Sequence, residues 1–361
     1  MPTREAEGSS SKKRVLILHV AAGVGHARAA YAVEAALREM DPSCEPVVRD
    51  ALEFSSPLMR RFYASTYNQL VDRLPRVWEF FYRQVGRIPA MSRRQRLRSA
   101  LMAANCRDFV AAVDRFGADM VLCTQFLPAE VYAWLRSRGD VKVPVFCVIT
   151  DFYVHPIWVY PGIDHYFVAA EASAEELRAT GVVSPDRIEI TGVPIDPKFA
   201  TSVGRENARR ELGLDPDPRR LTLLLMGGGF GWGPMEAMMD VVLRLPESVQ
   251  AVFVAGKNES LQEKLTARAA GHEARIKVHG FTDRVHVFLE AADVYVGKAG
   301  GLTCSEAMSR GVPVVAVRPI PGQEERNCDF MQEAGAGVRV HDLFDLHVKL
   351  SHFLDHPEDL E

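Results

Sequence analysis

Short apolar runs alternate with longer stretches of mixed character through most of the chain. The first, Val15–Val20, is followed by a helical spacing of apolar positions from His26 to Met40 and a second run at Pro46–Arg49. Further runs fall at Met120–Thr124, Val145–Thr150 and Tyr166–Ala169, each followed by helical or turn-rich sequence. The series restarts at Leu221–Met226 and continues through Val249–Ala255, Ile276–His279, Val294–Val296 and Pro313–Val317. Short apolar strands separated by helices predict a parallel sheet covered on both faces. Between the two series lie Gly192-Val-Pro-Ile-Asp-Pro197 and a charged stretch ending in Asp215-Pro-Asp-Pro218, whose composition predicts a connection between domains. The expected architecture is α/β, two doubly wound Rossmann-like domains facing a cleft. Their bounds are 14–198 and 221–361, with the connection at 199–220. Residues 1–13, polar and ending in Lys12-Lys13, are expected to be disordered.

One segment breaks the alternation. Residues 54–100 predict helices with no strand between them, and carry ten arginines against Asp72 and Glu79, a local balance of +8. Aromatic residues are interleaved: Phe62, Tyr63, Tyr67, Trp78, Phe80, Phe81 and Tyr82. Such an element can rest on an anionic bilayer, each basic residue near the surface adding roughly 1 kcal/mol. A solvated helical face over a core-facing aromatic stripe has the same composition, and nothing else in the sequence favours nucleic acid.

Composition narrows the classes further. The chain has 361 residues, 47% of them hydrophobic and 25% charged, with a net charge of -4. This predicts two cores in a soluble protein with no bulk charge for nucleic acid. The six cysteines are scattered without a C-x-x-C pair, which suits reduced thiols in a cytosolic compartment. The eleven histidines show no metal-binding spacing, so no metal site is expected. Val15–Val20 is too short for a signal peptide or a membrane span, and no other uninterrupted apolar stretch reaches spanning length.

Candidate chemistry concentrates in three places. In the second half, a strand ending at Val296 runs into Gly297, Gly300 and Gly301, and a helix begins near Thr303. Glycines there let backbone N–H groups approach an anion, and a helix start offers unpaired donors and about half a positive charge. Glu306, one turn further, can accept hydrogen bonds from a ribose. The segment is not a P-loop, which requires G-x-x-x-x-G-K-[ST]. In the first half, His19-Val-Ala-Ala-Gly23-Val-Gly25-His26-Ala-Arg28 imitates the start of a dinucleotide fingerprint, but Arg28 stands at the third glycine position. The third place is Thr150-Asp-Phe-Tyr-Val-His-Pro-Ile-Trp158, just beyond a predicted buried strand, where α/β folds put ligand residues.

Gly297–Pro313, together with Pro321-Gly-Gln-Glu-Glu325 and Asn327, resembles the donor site of GT-B glycosyltransferases. The family most similar contains the monogalactosyldiacylglycerol synthases and the processive diacylglycerol glucosyltransferases, and the likeness runs from about Arg14 to Leu350. It implies a UDP-sugar as donor substrate, with no further cofactor and no metal in the transfer step. On the donor side it implies that Gly227, Gly228 and Gly229 face the diphosphate and that the Gly280-Phe281-Thr282 turn reads the uracil. Gly300, Gly301 and Thr303 would then serve the phosphates, Glu306 the ribose, and Gln323, Glu324 and Asn327 the sugar hydroxyls, with Lys298 also among the donor-binding residues.

On the acceptor side the resemblance implies His26, beside Gly25, as catalytic base, with Asp151 or His155 orienting it or the acceptor hydroxyl and Trp158 packing on substrate. The arginine-rich insertion becomes a bilayer contact, carried by Arg60, Arg61, Trp78, Phe81, Arg93 and Arg94. The implied reaction is inverting transfer of glucose or galactose to diacylglycerol, on the cytoplasmic face of the cell membrane. Transfer to another lipid-linked acceptor, a non-catalytic nucleotide- or lipid-binding relative, a UDP-sugar epimerase and an NAD-dependent oxidoreductase are the competing readings. The family continues with a C-terminal helix returning to the first domain. This chain stops at Glu361, so weaker domain coupling is expected if that ending is natural.

Overall fold

The computed structural model describes residues 12–21, 24–61, 63, 74–88, 92–106 and 108–360. The expected disorder of residues 1–13 falls mostly outside these residues, as do Gly23, Phe62, Tyr67, Asp72 and Arg73.

The first domain holds strands β1 (Lys13–His19), β2 (Cys44–Asp50), β3 (Met120–Cys123), β4 (Val145–Val148), β5 (His165–Val168) and β6 (Ile188–Ile190). They form one parallel sheet in the order β2-β1-β3-β4-β5-β6. The second domain repeats the plan with β7 (Leu221–Met226), β8 (Val249–Val254), β9 (Ile276–His279), β10 (Val294–Gly297), β11 (Val314–Val317) and β12 (Gly337–Val340), ordered β12-β11-β10-β7-β8-β9. Central strands need apolar residues on both faces because helices cover both. In β1, Leu16 and Leu18 join one core cluster while Val15 and Ile17 join another. In β7, Leu223 and Leu225 face one core and Leu224 and Met226 the other. Each sheet reverses its strand order beside its first strand, β1/β3 and β7/β10, and such a switch point leaves a crevice at the carboxyl ends of the strands.

Three differences from the sequence expectation have local causes. Strand β2 starts at Cys44, ahead of Pro46, which a sheet edge tolerates because its missing N–H breaks no ladder. Strands β6 and β12 are edge strands of three and four residues, largely not buried, so they carry no apolar run to read. Within the expected connection, helix Arg205–Glu211 docks on the second domain through Arg209. That buried guanidinium donates to the Ala291 carbonyl (3.1 Å) and pairs with Asp293 (2.7 Å).

The insertion forms helices Pro75–Gly86 and Arg93–Asn105. The second is fastened to the first domain from beneath: Arg98 and Ser99 both donate to the buried Glu130 carboxylate (2.9 and 2.8 Å). Its other face presents Arg93, Arg94, Leu97 and Leu101 to solvent, and Leu74, Phe80 and Phe81 are exposed on or beside the first helix. The aromatic stripe therefore does not face the core throughout.

The domains meet closely. Phe152 of the first domain lies flat on Phe330 of the second, with ring centroids 4.4 Å apart and planes 5° off parallel, and is counted among the second domain's buried core. Arg326 pairs with Glu176 (3.1 Å) and lies over the Tyr153 ring (4.5 Å). A Cβ on Gly301 would collide with the Thr150 carbonyl, and one on Gly229 would collide with Val24, so both glycines permit the approach.

Candidate active site

A cavity of about 320 Å³ lies between the domains at the carboxyl ends of both sheets. Its first-domain wall is Val24 and the start of helix Gly25–Met40, with Thr150 and Asp151 after β4. Its second-domain wall is the Gly227–Gly229 turn after β7, the Lys298–Thr303 segment after β10, and Ile320, Gln323 and Glu324 after β11. Arg318, held at a positive φ of 47°, bends the chain between β11 and this last group. Helices Gly25–Met40 and Gly301–Ser309 both start at the cavity and neither has a side-chain cap. Helices such as Glu171–Ala179 and Val285–Ala291 also lack a side-chain cap, and what sets these two apart is that both start at the cavity. First-turn N–H groups without caps are available donors for an anion.

His26 stands on the cavity wall. Its Nδ1 is 3.0 Å from the Thr124 carbonyl oxygen and 2.9 Å from Thr150 Oγ1. A carbonyl oxygen only accepts, so Nδ1 carries the proton and Nε2 keeps its lone pair. Thr124 Oγ1 also donates to the His26 carbonyl (2.9 Å), fixing the backbone beneath the ring. Trp158 sits behind His26, centroids 6.1 Å apart, and is itself buried against Phe126 rather than lining the cavity. Burial lowers the His26 pKa to about 4, against a smaller upward effect of the Thr124 hydrogen bond. The ring is therefore neutral at pH 7.

His155 is placed differently. Its Nδ1 accepts from the Ile157 N–H (3.2 Å), and its Nε2 donates to the Tyr82 carbonyl (3.2 Å). The ring stacks on Tyr82 at 4.0 Å and is buried away from the cavity lining, and burial lowers its pKa to about 4. With both nitrogens engaged, His155 ties the insertion helix Pro75–Gly86 to the loop after β4. Asp151 does reach the cavity. Burial pushes its pKa up to about 6, and a hydrogen bond from Asn327 Nδ2 (3.2 Å) works in the opposite direction.

Asn327 crosses the cleft: its Oδ1 accepts from the Phe152 N–H (3.0 Å) and its Nδ2 also donates to the Ala299 carbonyl (3.0 Å). Fully buried, it holds the domains together and is not part of the cavity lining. Lys298 pairs with buried Glu324 (3.0 Å) and lies over the Trp232 ring at 5.4 Å. Glu324 is fixed by the Ile320 N–H (3.0 Å). Gln323, Gly228, Gly229, Gly300, Gly301 and Thr303 all line the cavity. Phe281 projects into it, 57% exposed with Lys257 over its ring at 5.1 Å, and Thr282 lies beside it. Glu306 does not line it: Arg28 stands between, paired with Glu306 at 2.7 Å. Burial pushes the Glu306 pKa up to about 7, with Arg28 opposing.

Sequence reasoning assigned no role to Thr150, Asp196, Lys198 or Trp232, all of which line the cavity. Thr150 had a signal, its place directly before Asp151 at the end of a strand; the others had none. Among the described residues, no three His, Cys, Asp or Glu side chains gather as metal ligands, and no helix is long and apolar enough to cross a membrane. Arg93, Arg94 and Arg60 are all exposed on the insertion, and Arg60 is also tied to the backbone, its Nε donating to the Leu52 carbonyl (3.0 Å). Arg61 and Trp78 lie on the same insertion.

Comparison with known proteins agrees with this two-walled layout. The family described as monogalactosyldiacylglycerol (MGDG) synthase matches residues 26–195, and that described as glycosyl transferases group 1 matches 229–360. The processive diacylglycerol beta-glucosyltransferase of Bacillus subtilis (strain 168) is 30% identical over 331 residues, covering 92% of this chain and 84% of its own. Among solved structures, Acinetobacter baumannii MurG superposes with a TM-score of 0.58 at 14% identity, covering 96% of this chain and 92% of its own. The S. aureus MnaA–UDP co-structure gives 0.60 at 17%, covering 97% and 90%. At these identities the likeness speaks for the GT-B fold alone.

Proposed function

Because the chain belongs to the glycosyltransferase family of the processive diacylglycerol β-glucosyltransferases, we propose that its cleft joins a UDP-sugar to a lipid hydroxyl. The chain is a UDP-sugar-dependent hexosyltransferase. The donor in this reading is UDP-glucose or UDP-galactose, and the acceptor is the free hydroxyl of 1,2-diacylglycerol at a membrane surface. The observation that carries it is the pairing, in one cavity, of a histidine with a free Nε2 and two helix starts without side-chain caps.

Those positions support the following steps. His26 Nε2 takes the proton of the acceptor hydroxyl as that oxygen forms its bond to the anomeric carbon. The bond from that carbon to the UDP oxygen breaks on the opposite face, so an α-linked donor gives the 3-β-glycosyl product. General-base help of this kind contributes about 10²–10⁴-fold. The charge left on UDP is met by backbone donors at Gly300–Thr303 and the glycine turn after β7, fixed in place before reaction. Phe281 serves the base, and Gln323 and Glu324 serve the sugar hydroxyls. Closure of the cleft keeps water from the donor. The exposed Phe80, Phe81, Arg93 and Arg94 supply the apolar and basic groups for resting on an anionic leaflet, with the enzyme peripheral on the inner face of the membrane.

The test incubates the protein and diacylglycerol-containing vesicles with UDP-glucose and with UDP-galactose separately, following UDP release and glycolipid. One donor is expected to give both products together. Absence of turnover with either donor, in protein that binds UDP, sinks the reading.

A further inference from the structure

One turn into helix Gly25–Met40, Arg28 reaches across the cleft to Glu306, one turn into helix Gly301–Ser309 (Nη2–Oε1 2.7 Å). One rung nearer the helix starts, Gly25 lies against Leu302. The two helices thus run side by side, from two N-termini that open into the same cavity. The exposures of the pair are unequal: Glu306 is 1% exposed and lies behind the wall, while Arg28 is 31% exposed and forms part of it. Glu306 Oε1 holds the guanidinium, and its Oε2 is buried without a hydrogen-bond partner. An arginine has five N–H donors in a rigid fork, so one engaged donor leaves most of the fork for a second anion.

Resting on the reading of this cavity as a UDP-sugar site, we propose that Arg28 contacts the donor's diphosphate, with Glu306 as the positioning residue that aims it. The acceptor domain then supplies a cation to the phosphate end of the donor site. The second domain alone lacks that contact, so donor binding favours the closed cleft. Lys298 and Lys198 also line the cavity, but each is paired there with a carboxylate, Glu324 (3.0 Å) and Asp196 (3.9 Å), which leaves Arg28 as the cation whose own partner lies behind the wall.

Calorimetric titration of the full chain with UDP and with uridine separates a phosphate contact from a general structural effect. Arg28→Gln is expected to weaken UDP binding about tenfold and to leave uridine binding unchanged. Arg28→Lys keeps the charge but loses the fork, and recovers part of the UDP affinity. Glu306→Gln is expected to weaken UDP in the same direction, again without effect on uridine. Unaltered UDP affinity in Arg28→Gln, or an equal loss for UDP and uridine, overturns the assignment. Loss of uridine in Glu306→Gln returns that residue to direct ribose contact and removes its positioning role. If Arg28→Gln fails to fold, Arg28→Lys carries the test: loss confined to UDP supports the contact, and equal or no loss refutes it. Absence of UDP binding by the unaltered chain would refute the donor-site reading instead.

Discussion

On the acceptor-domain side, the cavity wall is made of side chains that other side chains and carbonyls hold in place. On the donor side, much of it is backbone. His26 owes its tautomer to the Thr124 carbonyl and its surroundings to Thr150 and Trp158. Gly301 and the glycines after β7 act by having nothing beyond Cα. A wall of side chains can do proton chemistry, and one substitution removes that chemistry while leaving the shape. A wall of backbone can meet spread negative charge, and almost any substitution changes its shape first.

The largest effect should fall on the first wall. His26→Ala is expected to lower kcat about 10²–10⁴-fold with UDP affinity retained, whereas His155→Ala should lower the melting temperature while transfer persists in the folded fraction. Unchanged transfer by His26→Ala would remove it as base. Next comes Gly301→Ala on the second wall. Overpacking against the Thr150 carbonyl costs about 1–3 kcal/mol, read as roughly a ten- to hundredfold fall in kcat/KM. An alanine variant with full activity would show that the domains need not approach this closely.

Smaller again, Arg93→Ala or Arg94→Ala should each weaken binding to anionic vesicles by about 1 kcal/mol, roughly fivefold, with turnover of a soluble acceptor unaltered. The subtlest test is the acid limb of kcat/KM. As the proposed base His26 would work only above its pKa, so activity should persist as pH falls and be lost through about 4, well below the ordinary histidine value of 6.5. A limb near 6 would instead give the proton-handling role to Asp151, which must ionise above about 6.

The two sheets were legible because central strands such as β7 are buried at every position and apolar at all but Thr222. The Gly300–Gly301 turn was legible because a strand–glycine–helix junction is local, and so was the insertion, whose arginines break the alternation. What remained hidden lies across the cleft. Asn327 reads in sequence as a polar helix residue, and its bonds to Asp151 and Phe152 join positions more than 170 residues apart. The Arg28–Glu306 pair had the same character: each residue was noticed for a local reason, Arg28 as a missing glycine and Glu306 as a ribose partner. His155 looked like His26 in sequence. Only the two acceptors and donors around each ring separate a free Nε2 from an occupied one.

The flat stacking of Phe152 on Phe330 acts as a latch as well as a packing contact. Opening the cleft uncovers both rings, and burying one aromatic side chain stabilises by roughly 1.5–3 kcal/mol. The contact therefore weights the shut form by apolar burial, without any polar bond. Phe152 directly follows Asp151 of the cavity lining, so this apolar latch sits one residue from the site it helps to shut.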